Sequence, residues 1–112
     1  MLSHEFIALS KDNIPDCISY GLINQFNFVA IQDKVVLENI EVFLAGFNSY
    51  WDCFDNPNKG LNYYGITIIP PSELPYFICA LNQLKEKYDV NDLMLLFGSA
   101  VSSNKWIIHF GV

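Results

Sequence analysis

Two histidines, three cysteines and two closely spaced pairs of carboxylates are the side chains of this 112-residue sequence with the most chemistry to offer. His4 and His109 lie near opposite ends of the chain, each in a run that reads as a strand. If those strands pair, the imidazoles can meet, and with a carboxylate they form a partial zinc set. Neither has a second ligand three or four residues away and no Cys-x-x-Cys occurs, so both read as ordinary strand histidines and no metal is expected. A nucleophilic thiol needs a base nearby and an electropositive setting. Cys53 stands instead between Asp52 and Asp55, whose charges disfavour a thiolate, and Cys17 and Cys79 fall on apolar faces. All three are expected to be small packing residues. Glu38 and Glu41, and Asp52 and Asp55, have the spacing of neighbours on a helix and could act as an acid and base pair. Nothing around them indicates a pocket, so a solvated acidic face is the plainer expectation. The six glycines are scattered and build no phosphate-binding loop. No catalytic residue and no cofactor is expected.

The elements that would position these groups are legible in part. His4 to Leu9 reads as a strand followed by the turn formers Ser10 to Asn13. Asn13 and Pro15 then suggest the start of a short helix over 14–24, with Ile14, Ile18 and Leu22 on one face. The stretch containing Phe26, Phe28, Val29 and Ile31 reads equally as a strand of a hairpin. From Asp33, residues Val36, Ile40, Phe43, Phe47, Tyr50 and Phe54 recur at three- and four-residue intervals, which predicts a helix of about 20 residues. On that helix Glu38, Glu41, Ala45, Asn48, Asp52 and Asp55 form a second, acidic stripe, and Trp51 lies at the margin of the aromatic one.

Residues 55–60 predict an exposed loop, and Tyr63 to Ile69 a buried strand ended by Pro70 and Pro71. A helix follows with Ser72 as its expected N-cap, then a short helix interrupted near Gly98, then a last strand, Trp106 to Phe110. This order predicts an α+β fold, a small sheet with helices packed on it, as one domain over residues 1–112.

Composition narrows the partners. Hydrophobic residues make up 52% and charged residues 16%, a balance that predicts a packed interior. Twelve acidic residues against six lysines and no arginine give a net charge of -6, which repels phosphate backbones and favours a basic macromolecular partner over nucleic acid. The apolar runs fall far short of the ~20 residues of a membrane-spanning helix. Residues 1–5 carry no basic segment leading into an apolar stretch, so neither a signal peptide nor an anchor is expected. Widely spaced cysteines in odd number argue against a disulfide framework and for a reducing cytoplasm. Eight amphipathic aromatics, among them Tyr20, Trp51, Tyr64 and Tyr76, exceed what a small core needs and suit a protein interface.

The run "YYGITIIPPSELP" over 63–75 and the terminal "KWIIHFGV" over 105–112 resemble small immunity proteins of bacterial contact-dependent inhibition and related polymorphic toxin systems. The resemblance covers roughly the C-terminal half and rests on residues that define strands and turns. It implies a cytoplasmic, non-enzymatic protein that neutralises a cognate toxin domain, frequently a nuclease, through a stoichiometric complex. It assigns no inhibitory residue. The residues themselves suggest Glu38, Glu41, Asp52, Asp55 and Trp51 as the toxin-facing set. An acidic chaperone for a secreted effector, or a small hydrolase, are the alternatives. The first would expose an apolar groove and the second a pocket with convergent polar groups.

Overall fold

In the computed structural model, which describes residues 2–112, six strands form a single antiparallel sheet in the order β2-β1-β6-β5-β3-β4. The strands are β1 (Ser3–Leu9), β2 (Val29–Gln32), β3 (Asn48–Trp51), β4 (Pro57–Lys59), β5 (Ile66–Ile69) and β6 (Trp106–Phe110). Helices α1 (Asp33–Leu37), α2 (Ile40–Ala45), α3 (Leu74–Leu84) and α4 (Asn91–Ser102) complete the regular structure. The fold is therefore α+β, as the element order predicts, with a radius of gyration of 12.6 Å.

Alternation along the strands divides the core in two. Phe6, Thr67, Ile69, Ile107 and His109 face one side, and Ile7, Leu9, Ile66, Ile68, Ile108 and Phe110 the other. Helices cover the first side, where Phe77 meets Phe43, Phe47 and Phe97 at centroid distances of 5.4, 4.8 and 4.8 Å. On the second side lies the β1–β2 connection, an irregular segment containing two 3-10 turns, Lys11–Asn13 and Tyr20–Gln25. It inserts Ile14 and Ile18 between itself and the sheet. Both faces are covered, which is why the central strands read as nearly continuous apolar runs.

Several expectations need correction. The helix expected over 14–24 is this irregular segment, although Ile14 and Ile18 are buried as its apolar face requires. The long helix from Asp33 is two short helices followed by a strand. At its first break, the side chain of Asn39 donates to the Val35 carbonyl at 2.8 Å, and Asn39 itself leaves the helical conformation with φ -134° and ψ 45°. At its second, two carbonyls that a continuing helix would use are taken by the chain returning from β4. Leu61 N donates to Phe43 O and Gly60 N to Phe47 O, each at 2.8 Å. Gly60 is required there: its φ is +67°, and a Cβ would stand 2.2 Å from the backbone of Leu44.

The apolar period across 36–54 therefore serves two cores, Val36, Phe43 and Phe47 in one and Tyr50 and Phe54 in the other. The side chain of Ala45, assigned to the acidic stripe, lies outside the described residues. Within the expected loop of 55–60, Pro57–Lys59 forms an edge strand on β3. Ser72 does not cap α3, which starts at Leu74 after a 3-10 turn, and the adjacent Glu73 carboxylate accepts the Asn48 N–H at 2.7 Å. Gly98 lies inside a continuous α4, where its missing Cβ leaves open space.

Candidate functional site

The strand pairing that brings the two histidines together is observed, and it builds more than a pair. β1 and β6 are neighbours, with Phe6 opposite His109, and β5 places Thr67 opposite His109 on the other flank. His4, His109 and Thr67 therefore share the helix-facing side of three adjacent strands. His4 Nδ1 lies 2.8 Å from His109 Nε2, and His109 Nδ1 lies 3.0 Å from Thr67 Oγ1. At the outer end, His4 Nε2 is 2.9 Å from Oδ1 of Asp33, the first residue of α1, and the Tyr63 hydroxyl donates to the same oxygen at 2.5 Å.

With both rings neutral, one proton ordering satisfies every contact. Asn62 N–H donates to Thr67 Oγ1 at 2.7 Å, so the threonine hydroxyl is free to donate to His109 Nδ1. His109 then donates from Nε2 to His4, and His4 from Nε2 to the Asp33 carboxylate. The result is a directional line of hydrogen bonds from a partly buried backbone amide, through buried side chains, to a carboxylate near the surface. Such a line is stabilising only when complete, because each orphaned member would carry its desolvation cost.

The ionisation of the line follows from its burial. Desolvation, then the neighbouring His4, holds His109 well below the ordinary histidine range. Desolvation pushes the Asp33 carboxyl up, but the hydrogen bonds from Tyr63 and His4, with the electrostatic attraction of His4, outweigh it and hold the group below its usual value. The bond to Asp33, then desolvation, raises the Tyr63 hydroxyl to about 12. His4, Thr67 and His109 are fully buried, and the Asp33 side chain is 13% exposed. A hollow lined by Leu2, Gln32, Asp33 and Lys34 reaches the Asp33 end alone. All four ring nitrogens are committed to hydrogen bonds, which leaves none to bind a metal ion. Chemically, the line holds protons in a fixed order and ties β1, β5, β6 and α1 together.

Sequence reasoning named the two histidines but missed Asp33, Tyr63 and Thr67. A usable signal was present in part: His4 shares the inward parity of Phe6, and His109 that of Ile107, so both histidines had to be satisfied inside.

The proposed toxin-facing residues do not share one stripe. Glu38 and Glu41 flank the α1–α2 junction, where Glu38 accepts the Tyr88 hydroxyl and lies 3.9 Å from Lys87 Nζ. Asp52 and Asp55 lie after β3, joined to the irregular segment through Ile18 N to Asp52 O at 2.9 Å and Phe54 N to Asp16 O at 3.2 Å. All four acids are exposed. Asp52 also has a local task. Its φ is 65°, a left-handed conformation that aspartate tolerates, and its carboxylate accepts the Ile66 N–H at 3.2 Å. Trp51 is half-buried on β3, and its indole donates to Gly60 O at 3.1 Å.

Ser49 Oγ donates to the same carbonyl at 2.6 Å, so Trp51→Ala leaves Gly60 O satisfied. That variant is expected to cost about 1 to 2 kcal/mol in thermal or chemical unfolding, well below the loss of a buried core ring. A cost equal to that of a core phenylalanine would make Trp51 a fold residue.

The cysteine reading is overturned, and with it the argument from cysteine spacing for a reducing cytoplasm, which leaves that compartment to the family resemblance alone. Cys17 and Cys53 form a disulfide, while Cys79 is free and exposed on α3. The acids beside Cys53 disfavour a thiolate but do not prevent a bridge once the two segments are registered by the flanking backbone bonds. No described helix is long and apolar enough to cross a membrane. No protein-family model, curated protein or solved structure matches the chain.

Proposed function

We propose that this chain is an immunity protein that binds and neutralises a cognate bacterial toxin domain, a nuclease by its charge preference, in a stoichiometric complex formed in the cytoplasm. The observation that carries the reading is the gathering of Asp52 and Asp55 beside a hollow lined by Lys11, Asp12, Ile14, Asp16 and Phe54, on a molecule of net charge -6. An acidic face of this kind complements the basic surface with which a nuclease holds phosphate backbones. Exposed aromatics add anchoring candidates, Tyr64 being 78% exposed. The residues behind the family resemblance are largely accounted for by the fold. Tyr63 and Ile66 to Ile69 build β5 and its approach, and Trp106 to Phe110 the central strand β6.

Growth rescue tests the reading. Cells inhibited by the polypeptide encoded next to it should regain growth on co-expression, and the two chains should co-elute on gel filtration. Absence of both overturns the proposal. The charge argument has its own measurement: Asp52→Asn with Asp55→Asn keeps the acceptor for Ile66 and the left-handed turn while removing two charges. This double variant should associate several-fold more slowly at low salt, and the difference should shrink as salt rises. Unchanged association at every salt concentration places the interface elsewhere.

A further inference from the structure

The Cys17–Cys53 disulfide fastens the one face of the sheet that has no helix on it. β1 delivers the chain to the segment between Ser10 and Phe28, and Cys17 is bound to Cys53, which follows β3. Since β6 and β5 lie between β1 and β3, the bridge holds the segment across three strand spacings, about 14 Å of sheet. Underneath are Ile7, Leu9, Ile66, Ile68, Ile108 and Phe110.

Without the bridge the attachment is thin. It consists of the apolar anchors Ile14 and Ile18 with partly buried Leu22 and Ile23, two backbone hydrogen bonds at Ile18 and Phe54, and contacts made by two exposed side chains. The Tyr20 hydroxyl meets the Tyr64 and Gly111 carbonyls at 3.1 and 3.4 Å, with its ring 5.8 Å from that of Phe110, and the Lys11 ammonium lies over the rings of Phe54 and Trp106. The segment's two 3-10 turns give it little structure of its own. Cys17 is an exposed residue and Cys53 a half-buried one, which makes Cys17 the more accessible end of the bridge.

We propose that this disulfide is a redox-sensitive latch: a dithiol reductant releases the segment and makes the apolar sheet face beneath it accessible while the sheet and its helix layer stay folded. One thiolate of the reductant attacks the Cys17 sulfur, forming a mixed disulfide, and Cys53 leaves as a thiolate that takes up a proton. The reductant's second thiol, on losing its proton, displaces Cys17, which is protonated in turn. Two electrons and two protons pass to the protein, and the reductant ends as a cyclic disulfide. Asp16, Asp52 and Asp55 flank the two cysteines and repel anionic thiols, so neutral dithiothreitol should react faster than glutathione at equal thiolate concentration.

The test compares air-oxidised protein, protein held in dithiothreitol, and Cys17→Ser with Cys53→Ser. Iodoacetamide and mass spectrometry count thiols, with exposed Cys79 as the internal reference. One alkylation is expected in the oxidised state and three in the reduced state. Hydrogen exchange should accelerate at least tenfold for the amides of Ile18 and Phe54 on reduction, and those of Ile107 and Ile108 should keep their protection. The double variant should match the reduced protein in hydrogen exchange and ignore dithiothreitol, with a single alkylation at Cys79 under both conditions. Three alkylations in the oxidised sample, equal protection in both states, or equal acceleration in the sheet would each overturn the latch.

Discussion

Phe77→Ala is expected to lower the stability by about 3 to 5 kcal/mol and the melting temperature by on the order of 15 °C. Phe77 is fully buried and is the ring on which Phe43, Phe47 and Phe97 converge, so α2, α3, α4 and the turn into β3 all rest on it. Truncation removes the transfer free energy of the ring and leaves a cavity that three aromatic neighbours on different elements cannot jointly fill. A domain of this size is stable by about 5 to 15 kcal/mol, so the variant stands near the threshold of folding. Phe77→Leu retains most of the volume and should recover more than half of the loss. Thermal melts of both variants decide it, and a fall of under about 1 kcal/mol for Phe77→Ala would mean that the helix layer can close over the hole.

Acid is expected to destabilise the protein from about pH 6.5 downward, through the buried histidine line. His109 is held well below its ordinary value in the folded state, so the unfolded chain binds the proton first. Stability from this group is complete above the unfolded histidine value, and declines as pH falls by up to about 1.4 kcal/mol per pH unit for the one proton. The decline ends only when pH passes below the folded value. Asp33 adds a second phase in the same direction: its folded value is depressed, so its contribution is present above the ordinary carboxylate range and lost as pH falls through the folded value. His109→Leu removes the first phase. At neutral pH it also orphans His4 Nδ1 and the Thr67 hydroxyl and should cost about 2 to 4 kcal/mol. Denaturant titrations between pH 7.5 and 5 separate the two effects. A wild-type protein as stable at pH 5 as at pH 7.5 would show that the folded line accepts the proton without penalty.

Strands β1, β5 and β6 were legible because each is a short apolar run bounded by turn formers, and α3 because its period is clean. The stretch from Asp33 to Asp55 was misread because its three- and four-residue spacing runs on across both breaks: Val36, Phe43 and Phe47 are buried and Tyr50 and Phe54 partly so, while Ile40, on the expected apolar face, is 50% exposed. What sets the second break is long-range: Gly60 and Leu61 take the carbonyls of Phe47 and Phe43, and nothing within the stretch announces it. The same limit hid the histidine line. Strand parity could turn His4 and His109 inward, but the meeting of Asp33, Tyr63 and Thr67 with them depends on β1, β5 and β6 lying side by side. Cys17 and Cys53 stand 36 residues apart, and only the placement of the β1–β2 connection over the sheet unites them.

The adjacency of β1 and β6 also sets when this protein can fold. The centre of its sheet joins Glu5 to Phe110 and Leu9 to Trp106, pairings that span nearly the whole chain. During synthesis the first strand therefore leaves the ribosome without its inner neighbour, and β5 likewise waits for β6. Until the last strand emerges, His4 faces no His109 and the apolar residues of β1 have one flank open. Closing so large a loop makes for slow, topology-limited folding in which β1 and β5 both depend on β6.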